Sequence, residues 1–154
     1  MTDTIDIREI SECNCLGVRR LARRMTQIYE DLMAPAGLTV GQFGLLAQLY
    51  GAVLAGQRSV GAGALAERLG TDPTTLSRGL RPLRSQGLIV NDPDPLDRRM
   101  RAVRLTDKGR AKLRQAVPIW RRAQRHVNAA LGSETATELR GVINLSAARL
   151  TSQL

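Results

Sequence analysis

The stretch that decides the fold is NDPDPLDRRMRAVRLT, residues 91–106. Asp92, Asp94 and Asp97 are interleaved with Pro93 and Pro95, and Arg98, Arg99, Arg101 and Arg104 follow. Over 101–105, RAVRL has the alternation of a strand with one buried face, and LIVN at 88–91 is a second strand-like run. The segment between them then reads as the loop of a β-hairpin. Prolines at 93 and 95 limit the freedom of its tip and so reduce the entropy lost when it docks on a partner. Asp97 is placed to hold Arg99 in an extended rotamer through a bidentate pair.

Upstream of the hairpin, Asp72 is a good helix N-cap and Pro73 suits the first helical position. In TTLSRGLRPLRSQG, residues 74–87, Leu76, Leu80 and Leu83 fall on one face and Gly87 is a natural stop. A shorter helix, GALAERLG at 63–70, precedes it and closes at Gly70. Two short helices joined by LGTDP form a helix-turn-helix by pattern. With leucines turned inward, Thr74, Thr75, Ser77, Arg78, Arg81 and Arg84 are left on the exposed face of a helix over 73–86. Short hydroxyl side chains in a first turn allow close approach to base edges and phosphates, and arginine further on can take guanine bidentately. Pro82 inside this helix removes a backbone hydrogen bond and crowds the Arg78 carbonyl, at a cost on the order of 3 kcal/mol in a helix interior. A bend or a tightened last turn is expected there, which leaves Arg81 and Arg84 less firmly placed than Ser77 and Arg78.

Further out, the apolar residues from Leu16 to Leu32 form a helical stripe with Arg19, Arg20, Arg23 and Arg24 opposite, and APAG at 34–37 ends it. Thr39 and Gln42 match a capping box, with Leu38 and Phe43 as a hydrophobic staple, so a second helix is expected over about 40–54. On the other flank Thr106 is an N-cap for a long helix over 107–131, kinked rather than broken at Pro118. Gly132 and Ser133 punctuate, and an amphipathic helix closes the chain over 134–154. The fold class is therefore mainly α with a small β-hairpin, a winged helix-turn-helix with N- and C-terminal dimerisation helices. Three segments divide the work: 1–55, N-terminal helices for dimerisation and support; 56–106, the winged module; 107–154, C-terminal dimerisation helices. The terminal helices carry more apolar surface than a small central module needs, which points to pairing with a second copy.

Composition agrees. With 154 residues the chain suits one domain plus a dimerisation element. Its single Phe and Trp and two Tyr leave the core to Leu, Ala and Val, which favours helices. A net charge of +9, almost wholly from arginine, calls for a polyanionic partner. No apolar run approaches the ~18 residues of a membrane span, and MTDTIDIREIS does not read as a signal peptide, so a cytoplasmic location is expected. One histidine, no metal-ligand cluster and no Gly-rich phosphate loop leave no constellation for an enzyme, a metal or a cofactor. His126 reads as structural or surface.

Taken together, Leu65–Gly70 (LAERLG), TTLSRGLRPLRSQGLI, DPDPLDRR and VRLTDKGR resemble the MarR family of winged helix-turn-helix regulators, and the likeness extends to GLTVGQFGLLAQL and the late PIW. The most specific part is Asp97-x-Arg99 followed by Val103-x-Leu105-Thr106-x-x-Gly109. The resemblance implies a homodimer that binds a pseudo-palindromic operator in double-stranded DNA and is released by a small ligand or by cysteine oxidation. It makes Arg99, with Arg98 beside it, the minor-groove side of the wing, Asp97 its orienter, and Ser77 and Arg78 recognition-helix contacts. A non-specific architectural DNA-binding protein and a protein-interaction module are the rival readings. Cys13 and Cys15 sit where a helix begins, with Arg19 and Arg20 a turn on, a setting that favours thiolate and hence reaction with oxidants or a thiophilic metal. Equally, one is a small buried hydrophobe and the other an unused surface thiol. Met25, Tyr29, Tyr50 and Trp120 are candidates for an apolar effector pocket, or are plain core.

Overall fold

The computed structural model describes residues 7–94 and 101–152. The chain divides into two compact units, Glu30–Trp120 and the pair Met1–Tyr29 with Arg121–Leu154. In order, its elements are α1 (Ile7–Ser11), α2 (Asn14–Met33), a 3-10 turn (Ala34–Ala36), α3 (Val40–Leu54), β1 (Val60–Gly61), α4 (Ala62–Arg68), α5 (Pro73–Ser85), β2 (Ile89–Pro93), β3 (Arg101–Leu105), α6 (Asp107–Leu131) and α7 (Ser133–Thr151).

Local chemistry sets the ends of the helices in the central unit. At the start of α3 the Thr39 hydroxyl accepts from the Gln42 N–H at 3.1 Å while the Gln42 side chain accepts from the Thr39 N–H at 3.0 Å, the reciprocal capping box. Glu30 adds a third bond, accepting from the Val40 N–H at 2.9 Å. Three helices then finish in the same way. Gly56, Gly70 and Gly87, at φ of 80°, 59° and 70°, turn the chain out of α3, α4 and α5. Each donates to the carbonyl three residues back, while the next residue donates five back: Gln57 to Ala52, Thr71 to Ala66 and Leu88 to Leu83. For α5 the accompanying apolar contact is between buried ends, since Leu83 and Leu88 are both sealed from solvent.

The three strands form one antiparallel sheet in the order β1-β3-β2, with Ile89 opposite Leu105 and Pro93 opposite Arg101. Val60 and Gly61 pair with Val103 and Ala102, so a third strand joins the expected hairpin. A two-residue strand shows no periodicity, which is why sequence pattern does not reveal it. The core of this unit is aliphatic: Leu46, Leu49, Leu65, Leu76, Leu80, Leu83, Ile89 and Val103 are buried in one cluster, with Phe43 and Tyr50 partly buried against it. Thr106 joins the sheet to α6. Its hydroxyl donates toward the Gly87 and Leu88 carbonyls at 2.8 and 3.0 Å and accepts from the Gly109 N–H at 2.9 Å. Gly109 is required by this joint, because a Cβ there would overlap the Leu88 carbonyl.

Both internal prolines lie within unbroken helix: Pro82 in α5 and Pro118 in α6. In α5 the Pro82 carbonyl accepts from the Gln86 N–H at 3.1 Å and the Ser85 hydroxyl at 2.9 Å, so the last turn is satisfied locally. In the terminal unit Ala123, Val127 and Ala136 are buried, and the Tyr29 hydroxyl donates to the Gln124 side-chain oxygen at 2.6 Å. Burial raises the Tyr29 phenol above its ordinary value, an effect that the Arg140 charge partly offsets. The short α1 adds to the helices expected from the sequence. Large apolar side chains remain exposed on this unit, among them Ile7, Leu16, Val18, Val142, Ile143, Leu145 and Leu150. No single helix among the described residues is long and apolar enough to cross a membrane.

Candidate nucleic-acid interface

Every side chain assigned to the DNA-facing side of α5 is exposed. Thr74, Thr75, Ser77, Arg78, Arg81 and Arg84 face outward, while Leu76, Leu80 and Leu83 are 4%, 4% and 0% exposed. That separation is what the i, i+4, i+7 leucine spacing demands of a helix held on one side only. Arg81 and Arg84 lie within the helix despite the half-buried Pro82 between them. Gly79 lets the helix approach α3, where an added Cβ would lie 3.1 Å from the Leu45 side chain.

Asp72 organises the first turn. One carboxylate oxygen accepts from the Thr74 and Thr75 N–H groups at 2.9 and 3.0 Å, and the other accepts from the Thr75 hydroxyl. The Thr75 hydroxyl bond and the backbone bonds hold the Asp72 carboxyl below its ordinary value of 3.8. Thr75 thus spends its hydroxyl proton within the protein. Toward a ligand it offers lone pairs and a methyl group, whereas Ser77, for which no such bond is seen among the described residues, keeps a rotatable donor.

The wing residues Asp97, Arg98 and Arg99 lie outside the described residues. On the strands that carry the wing, a different acid–base pair is visible. Arg104 donates through Nε to Asp92 at 2.7 Å, diagonally across β2 and β3. The sequence reading assigns an orienting aspartate only at the tip; alternation over 101–105 put Arg104 on a definite face, but its partner depends on a register that sequence leaves open. The sequence predicts Asp72 as a cap alone, and its bond to the Thr75 side chain is a further role that the structure adds.

The remaining candidates are distributed through the fold. Met25 and Tyr29 belong to the terminal unit, Tyr50 and Trp120 to the central one, and all four are half-buried. Trp120 stacks on Phe43 with ring centroids 5.7 Å apart, so its ring is already engaged in packing. Cys13 immediately precedes α2 and is half-buried; Cys15 lies in its first turn and is exposed. His126 is exposed on α6. Among the described residues no group of His, Cys, Asp and Glu is arranged to hold a metal ion.

Residues 53–109 match the model of a winged helix DNA-binding domain. No curated protein sequence matches the chain. Among solved structures, the chain is similar to the Mycobacterium tuberculosis transcriptional regulator MosR in complex with DNA, with 36% identity over 93% of this chain and 100% of that one, at a TM-score of 0.75. The transcriptional repressor CouR, bound to a 23-mer DNA duplex, matches at 27% identity over 94% of this chain and 99% of that one, with the same TM-score. Escherichia coli MarR with operator DNA shares the fold at 21% identity, with a TM-score of 0.76 over 93% and 99%. The chain belongs to the MarR family of winged helix-turn-helix transcriptional regulators. It is a DNA-binding regulator and not an enzyme.

Proposed function

We propose that the protein is a homodimeric, sequence-specific repressor that acts in the cytoplasm on a pseudo-palindromic operator. The observation that carries this reading is the capped helix α5, with its leucines buried and its Thr, Ser and Arg side chains all exposed. Each copy lays α5 in a major groove, and the two recognition helices of the dimer enter successive grooves roughly 34–36 Å apart. Ser77 and Arg78 read base edges, Thr74 and Thr75 approach the backbone, and Arg81 and Arg84 add phosphate contacts. Arg98 and Arg99 reach the narrow, electronegative minor groove, with Asp97 as orienter. In this division of labour residues 1–55 serve dimerisation and helical support, 56–106 carry DNA recognition and 107–154 serve dimerisation.

Release is assigned to a small ligand in an apolar site, for which Met25, Tyr29, Tyr50 and Trp120 are the candidate residues, or to modification of Cys13 or Cys15. The DNA-bound relatives support DNA binding, and the placement of both thiols at the start of α2 supports the thiol route of release.

Fluorescence anisotropy with the DNA upstream of the protein's own gene tests both. Reduced protein should bind that DNA on the order of 10³-fold or more tightly than random duplex at physiological salt. Comparable binding to every duplex, falling steeply with salt, would instead mark an architectural DNA-binding protein. Loss of binding on peroxide treatment, kept when both cysteines are serine, assigns release to the thiols. Indifference to peroxide assigns it to a ligand. Arg99→Ala should weaken operator binding while the dimer persists; wild-type affinity in that variant would remove the wing from the interface.

A further inference from the structure

A cavity of about 350 Å³ lies within the central unit where the turn after α3, the end of β3 and the first turns of α6 meet. Gln57, Arg58, Arg104, Asp107 and Arg110 supply its polar lining. Three arginines from the turn, β3 and α6 thus line one open cleft together with a single aspartate. We infer that this cavity binds a small phosphate-bearing anion, at a site separate from the DNA-facing side of α5.

The unexplained group is Arg110. Its Nε is buried and has no hydrogen-bond partner among the described residues. A buried guanidinium N–H without an acceptor is rare in a folded protein. Arg104 engages Asp92 through Nε, which leaves its terminal nitrogens for another acceptor. The Gln57 side-chain oxygen accepts from Arg68 at 3.3 Å, so its amide nitrogen remains a donor. Gly56 at φ 80° and the Gln57-to-Ala52 backbone bond hold the turn that presents Gln57 and Arg58. Arginines from three elements offer an anion several N–H donors, and guanidinium forks match phosphate oxygens in pairs. The volume is at the lower end of the roughly 300–1,000 Å³ range of small-ligand pockets, so the ligand is inorganic phosphate or a small phosphomonoester.

Arg104 connects this site to the wing. An anion on its terminal nitrogens competes with Asp92 for the same guanidinium and loosens the one ion pair seen across β2 and β3 among the described residues. Phosphate binding itself is read without DNA, so its outcome is independent of the repressor assignment.

The test uses the full chain and inorganic phosphate, with sulfate and chloride at matched ionic strength, followed by calorimetry and phosphorus NMR line broadening. One saturable phosphate per chain is expected, weakened about ten-fold or more by Arg58→Ala, which alters only an exposed turn residue, and by Arg110→Lys, which keeps charge but loses the fork. Absence of saturable binding, or wild-type affinity in both variants, overturns the site. The source of the phosphate is decided on duplex DNA in phosphate-free buffer. Unchanged DNA affinity and salt slope in Arg58→Ala support a free anion. A loss of affinity with a salt slope lower by about one would make the cavity a DNA backbone contact and overturn the small-ligand assignment.

Discussion

The Asp72 carboxylate accepts from two backbone N–H groups and one hydroxyl, and these bonds are strongest for its ionised form. Its folded pKa is therefore depressed, so the stabilisation it gives α5 is complete above the unfolded value near 3.8 and is lost as pH falls through the lower folded value. The melting temperature of Asp72→Ala should lie below that of the wild type at pH 7, and the gap should narrow in strong acid. A gap unchanged there would show that the cap acts through something other than charge. At Ser77 and Arg78, alanine should change the ranking of operator variants more than the salt slope in an anisotropy titration; equal losses on all duplexes would reassign both to phosphate contacts. The Arg104–Asp92 pair is part-exposed, at 32% and 25%, so a double-mutant cycle on stability should return only about 0.2–1 kcal/mol.

At the scale of elements, the junction between α5, the sheet and α6 has the least tolerance. Gly109→Ala places a methyl group against the Leu88 carbonyl, and overpacking of this kind costs typically about 1–3 kcal/mol. Urea denaturation should show that loss, while the far-UV spectrum stays helical. Most elements were legible because their signals are local. Asp72-Pro73, Thr39 with Gln42, and Gly87 act within one turn of themselves, and the leucine spacing of α5 is decided by its own periodicity. What escaped the sequence depends on partners distant along the chain. β1 exists only because β3 accepts it, the Asp92–Arg104 pair needs the hairpin register, and the Arg110 environment needs three elements at once. Pro82 is the reverse case: the local rule predicts disruption, yet the helix runs through it and the last turn is satisfied by Ser85 and Gln86 donating to the Pro82 carbonyl.

For the whole molecule, the apolar excess on the terminal helices is the feature with the largest consequence for assembly. Val142, Ile143, Leu145 and Leu150 are 61%, 50%, 52% and 67% exposed on α7 alone, more than an isolated chain ordinarily leaves in water. Sedimentation should show a dimer, and Val142→Glu with Leu145→Glu should yield monomers that retain their helical spectrum. A wild-type monomer at micromolar concentration would sink the dimer reading. The sequence announced this surplus without showing how the faces meet, since amphipathic periodicity specifies a face and not its mate.

The sheet order carries a different implication. β1 and β2 are the two outer strands, and an unpaired strand edge is a template on which other chains can polymerise. Here one edge is only two residues long, and the other ends in Pro93, which has no N–H to offer, with charged Asp92 beside it. The two outer edges of the sheet are thereby kept from recruiting a second copy, by residues that have no part in the proposed DNA contacts.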